Sequence, residues 1–230
     1  MNTYRKTAIS VGVLFIIATV LNMLGNIPLK PILDAPDYLI EISANQNQVI
    51  MGGLLVLVSA LASASIAIWL YPILKKHHEA FALASVGFRV MEGMLYTVGV
   101  VGLLSLLSLS QVYVKAGASN ASSFHISGTS LLAVHKWAGE LGVIAFAMGA
   151  LMYYYLFYRS KHVPRFISSW GFLGAALSLA SAVLAIFGLI IPLSPVHIAF
   201  NLIILVQEMV LAVWLIFKGF NPSVIASKSP

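Results

Sequence analysis

Four ionisable residues stand where water is scarce: Arg89 and Glu92 in FALASVGFRVMEGMLYTVGVV (81–101), Glu140 in HKWAGE (135–140), and Glu208 in LVQEMVLAV (205–213). Each lies in an apolar run long enough to cross a bilayer, where a charge costs about 3 kcal/mol or more on insertion scales. Such groups persist where they pair, line a water-filled cavity or do chemistry. Three carboxylates and one guanidinium cannot all pair among themselves. The remaining two acids must find Lys136, a histidine, backbone donors, a metal ion or a proton. A carboxyl that keeps its proton escapes the charge penalty, and ionisable groups at a common depth are the usual mark of a solute pathway or proton relay.

Spacing sharpens the picture. At 1.5 Å per residue, Arg89 and Glu92 lie roughly 12 to 17 Å from one end of their helix. Counted from the opposite side, Glu140 lies roughly 14 Å and Glu208 roughly 16 Å deep, so all four are expected near the midplane. Arg89 and Glu92 are i,i+3 and can pair on one helix, as a lock that needs no further function. Tyr96 extends that stripe outward. Lys136 and Glu140 are i,i+4 and can satisfy each other, in the less favourable order; alternatively Lys136 reaches outward to water. His197, Asn201 and Glu208 share one helix face. Glu208 is the hardest to explain away, because its own helix offers only Gln207 and Asn201, and neither cancels a charge.

The small residues Ala138, Gly142, Ala145 and Gly149 form a stripe suited to close helix packing. His135 falls on that stripe, whereas Glu140 points away from it. His135 and Glu140 stand about 140° apart around a helix, so one ion holds both only if the helix distorts. His135 and His197 both lie near outer helix ends, as interfacial histidines, metal ligands or, if they face each other at equal depth, haem ligands. His77 and His78 sit in a basic turn and read as solvated. The signatures of zinc peptidases, phosphate-binding loops and serine hydrolases are absent. With no cysteine, thiolate ligands, disulfides and iron–sulfur clusters are excluded.

The elements that must position these residues follow from composition. Of 230 residues, 60% are hydrophobic and only 9% charged, against about a quarter charged in globular chains. Recurrent apolar runs predict an all-α polytopic membrane protein, a bundle of six transmembrane helices in a lipid bilayer. The helices are expected at about 6–25, 49–74, 80–109, 131–158, 166–191 and 197–217, in a single transmembrane domain over 1–230, with outer loops at 26–48 and 110–130. Within the first loop LIEIS (39–43) can form a short interfacial helix. The 80–109 helix exceeds ~30 Å of hydrocarbon and should tilt or protrude. PLSP (192–195) reads as a tight turn that makes the last two helices neighbours, and ASKSP (226–230) as a disordered tail. Arg5 and Lys6 precede the first apolar run as in a signal peptide, but no cleavage pattern follows, so a retained helix is expected.

The formal charge of +6 sits in short clusters between apolar runs, a pattern that sets topology rather than binding nucleic acid. One side holds nine Lys and Arg in its loops and the other only Lys30 and Lys115. The positive-inside rule therefore predicts both termini in the cytoplasm.

LYPILKK (70–76), FRVMEG (88–93), YRSKHVPRFISSWGFLG (158–174) and EMVLAVWLIFKGFN (208–221) together resemble the DUF4386 family of uncharacterised bacterial integral membrane proteins. The resemblance implies a bacterial inner-membrane protein. It also implies weight on Arg89, Glu92 and Glu208, which match the family's recurrent pattern, but it brings no activity or cofactor. Three functional readings follow. The first is binding or movement of a small solute or protons through a centre built on Glu92, Glu140 and Glu208, with Arg89 clamping or tuning. The second is an intramembrane enzyme on a lipid-like substrate, metal-dependent, using His135, His197 and a carboxylate as ligands of zinc or iron or as acid and base. The third is a non-catalytic assembly or immunity partner whose charges are structural.

Overall fold

No water reaches backbone N–H and C=O groups inside a bilayer, so long apolar runs close their hydrogen bonds within helices. The computed structural model describes residues 3–116, 121–192 and 194–221. In chain order these form α1 (Thr3–Asn26), a 3₁₀ turn (Ile27–Leu29), α2 (Lys30–Leu33), α3 (Tyr38–Ala44), α4 (Gln46–Leu74), α5 (Glu79–Ala116), α6 (Ala121–Ser160), α7 (Arg165–Ile186) and α8 (Pro195–Phe217). Six of them, all but α2 and α3, are long and apolar enough to cross a membrane.

Each spanning helix packs on the next along the chain, and α8 closes back on α1, so the six form a ring. Close approach is built on small residues. A Cβ on Gly25 would lie 2.8 Å from the Gly52 carbonyl oxygen, and the reverse holds, so α1 and α4 cross almost backbone to backbone. At the other end Arg5 closes the ring, donating from Nη2 to the Ile216 carbonyl at 2.6 Å and from Nη1 to Leu215 at 3.3 Å. These are last-turn carbonyls that α8 cannot satisfy itself. The start of α1 and the end of α8 thus lie at one end of the bundle. The outer wall presents Leu61, Met94, Phe166 and Phe217, whereas Arg89, Glu92, Glu140 and Glu208 are buried. Polar groups face in and apolar ones face out, as lipid requires.

The expected loops are largely folded. In 26–48, α2 and α3 form a cap that buries Leu29, Ile32, Leu33, Leu39 and Ile42 against Leu103, Leu106 and Leu107 of α5. The LIEIS helix is there, extended to seven residues. The prolines break the segment into short helices without preventing them. The 110–130 loop is corrected more strongly. α5 runs on to Ala116 and α6 begins at Ala121. Its Ser, Gly and Asn content imitates a loop, but Tyr113 and Phe124 pack together, with ring centroids 5.5 Å apart, and join the α3 cluster. At 1.5 Å per residue the 38-residue α5 and 40-residue α6 are roughly 57 and 60 Å long, so their hairpin projects well past a ~30 Å hydrocarbon layer.

α7 ends at Ile186, short of the expected 191, because Gly188 takes a φ of +70° that breaks the helix. The connection to α8 is accordingly longer than a PLSP turn. Ser194 caps α8 by accepting from the His197 backbone N–H at 3.3 Å, with Pro195 opening the first turn. α7 and α8 are neighbours as expected. The ASKSP tail lies outside the described residues.

Candidate functional site

The small-residue stripe of α6 faces α5, and large polar side chains of α5 fill it. A Cβ on Gly142 would collide with the Tyr96 ring, and one on Gly149 would lie 3.1 Å from the Arg89 stem. Stripe and polar residues share a seven-residue spacing on antiparallel helices, so the glycines make room for Tyr96 and Arg89 inside the ring.

Two polar layers result. In the inner one Arg89, 2% exposed, places Nη1 3.1 Å from Glu92 Oε2. Phe146 and Tyr153 stack on the guanidinium, with ring centroids 4.9 and 5.9 Å away, as cation–π contacts. Ser63 of α4 donates to the same Glu92 oxygen at 2.9 Å. The ion pair is close but poorly angled, and among the described residues Arg89 Nε and Nη1 have no hydrogen-bond acceptor. Glu208 of α8 completes the layer. Tyr153 donates to its Oε1 at 3.4 Å, Thr19 of α1 stands beside it, and Arg89 and Glu92 are within electrostatic reach. Five of the six ring helices contribute.

The outer layer is a cleft of about 410 Å³ at the end opposite Arg5. Asn22 and Asn26 of α1, Tyr96 of α5, His135 and Glu140 of α6 and His197 of α8 line it. His197 Nε2 lies 3.6 Å from Glu140 Oε2, and both side chains are almost fully buried. Lys136 and Asp34 pair at 3.2 Å, about half exposed (52% and 49%), and mark the mouth. Tyr96 joins the layers. It lies roughly 10 Å along α5 from Arg89, within electrostatic reach of Glu92, Glu208 and Glu140.

The expected single centre is thus two. Arg89 and Glu92 pair, with Glu208 within electrostatic reach, and Glu140 stands apart with His197. Lys136 does not satisfy Glu140; it reaches out to Asp34, a partner supplied by the folded loop. His135 faces protein, its Nδ1 2.9 Å from the Gly99 carbonyl; a carbonyl only accepts, so that nitrogen carries the proton. Asn201 turns away from the cleft and donates to Ser181 Oγ of α7 at 3.2 Å. Gln207 is a tie between helices, accepting from Tyr154 at 2.5 Å and donating to the Ile167 carbonyl at 3.0 Å. His77 is not simply solvated, for its ring meets that of buried His162 at 4.9 Å. No three His, Asp or Glu side chains among the described residues converge as metal ligands.

Residues 10–219 match the family described as a domain of unknown function, DUF4386. The chain belongs to the DUF4386 family. No curated protein and no solved structure matches it. The DUF4386 match spans every residue of both layers, so the cleft and the inner cluster belong to the family's domain rather than to an appended segment. Sequence reasoning missed Ser63, Thr19, Tyr153 and Asp34 in this DUF4386 chain. Tyr153 lies four residues beyond Gly149 on the same stripe, and Ser63 follows Ser59 at i,i+4, so helical spacing carried both signals. Nothing local marked Thr19 or Asp34.

Proposed function

We propose that this protein binds a small polar solute or protons in the cleft and passes them through the buried carboxyl cluster of the ring. The observation that carries the reading is the succession of polar groups from cleft to interior: His197 and Glu140, then Tyr96, then Glu92, Arg89 and Glu208, neighbours within electrostatic reach of one another. Among the described residues no Lys or Arg forms an ion pair with Glu140 or Glu208. The metal-enzyme alternative wanted His135, His197 and a carboxylate on one ion. No three-ligand group of that kind forms among the described residues.

In this reading the protein lies in a bacterial inner membrane with both termini in the cytoplasm and the cleft open outward. The nine-to-two distribution of Lys and Arg supports that orientation. A single cysteine introduced at Asp37 should react with a membrane-impermeant thiol reagent from outside intact cells; labelling only after lysis would reverse the topology. The functional test is proton flux in liposomes containing the purified protein and a trapped pH dye. An amide cannot take up a proton in the relay, so Glu208→Gln should reduce flux to that of protein-free liposomes. Equal flux in Glu208→Gln and wild type would sink the reading.

A further inference from the structure

We infer that Glu140 and His197 form the landing site for a divalent transition-metal ion of the zinc, manganese or iron type, the cargo of the cleft. This names the solute in the function proposed above and rests on that reading.

Glu140 Oε2 and His197 Nε2 are both buried, both without a hydrogen-bond partner among the described residues, and 3.6 Å apart. A charge-assisted hydrogen bond would draw them to about 2.7–2.9 Å. Two ligands at about 2.1 Å from one tetrahedral ion stand about 3.4 Å apart. The observed spacing is nearer to that of ligands than to that of a hydrogen-bonded pair. The residues come from different helices, α6 and α8, and both line the cleft, which has room for an ion and its remaining waters.

The donor set selects the cation. Imidazole with carboxylate suits zinc, manganese and iron, whereas calcium and magnesium prefer oxygen alone. No third His, Asp or Glu joins the pair among the described residues. Structural zinc takes four protein ligands; two leave the ion exchangeable, as a cargo must be. Of the other charged groups around the cleft, Lys136 is neutralised by Asp34, and Lys30 stands at the rim.

The test is Co²⁺ binding to the detergent-purified full chain, followed by visible absorption and by displacement with Zn²⁺. About one Co²⁺ per chain is expected, with affinity at least tenfold weaker in Glu140→Gln and in His197→Gln and unchanged in Glu79→Gln, an exposed carboxylate in the first turn of α5. Absence of binding, or binding untouched by both cleft variants, would overturn the inference. Should those variants misfold, wild type still decides. The wild-type Co²⁺ complex should show visible d–d bands that Zn²⁺ abolishes, and bands that are absent or indifferent to Zn²⁺ count as refutation. Proton flux lost in Glu208→Gln without any metal binding would leave the function standing and remove only the metal.

Discussion

Replacing Arg89 by methionine tests whether the inner layer holds the ring together. The guanidinium is 2% exposed and 3.1 Å from Glu92. At an effective dielectric of about 20, that separation corresponds to about 5 kcal/mol of Coulomb attraction. Much of this offsets the desolvation of both charges, so the net worth of the pair is small. Losing one partner is different, because it leaves a buried charge uncompensated at a cost of about 3–5 kcal/mol. Methionine matches the stem that lies against Gly149 and keeps contact with Phe146 and Tyr153, so packing changes little. After Arg89→Met, Glu92 retains Ser63 as a donor, and among the described residues no other cation acts on it.

Glu92→Gln should be milder, because Glu208 remains within electrostatic reach of Arg89. The double variant Arg89→Met/Glu92→Gln removes both charges, and the glutamine oxygen still accepts from Ser63. It should recover to within about 1–2 kcal/mol of wild type, since neutral replacement of a buried pair costs little. The order of stability is therefore wild type, double variant, Glu92→Gln and last Arg89→Met. Unfolding in mixed micelles by SDS titration, followed by circular dichroism, measures it. If Arg89→Met matches wild type, or the double variant is as unstable as Arg89→Met, the pair is not what fixes α5 in the ring.

Two further outcomes follow from packing and exposure. Gly142→Leu drives a side chain into the Tyr96 ring and should cost about 1–3 kcal/mol in the same titration, whereas Gly87→Leu, with nothing within 4 Å of its Cβ, should be near neutral; equal effects would contradict the α5–α6 interface. Lys136→Ala removes a half-exposed pair with Asp34 and should change stability by less than about 1 kcal/mol; a larger loss in that titration would mean the pair anchors the outer cap.

The sequence alone determined that this is a six-helix membrane protein, because apolar run length and backbone hydrogen bonding in lipid leave little choice. It also placed Arg89 beside Glu92 and predicted a packing stripe on α6, since i,i+3 and i,i+4 neighbours follow from one helix's own geometry. Only tertiary structure decided which partner each charge takes. Glu140 looked within reach of Lys136 on its own helix, yet it meets His197 on α8 while Lys136 goes to Asp34. Depth along a helix is nearly fixed by residue number, but azimuth toward the ring interior depends on how neighbouring helices are rotated, and that is set by packing across the whole ring. The 110–130 segment reads as a loop for the same reason. Its helices are held by Tyr113, Phe124 and the α3 cap, contacts between residues far apart in the chain that local composition does not encode.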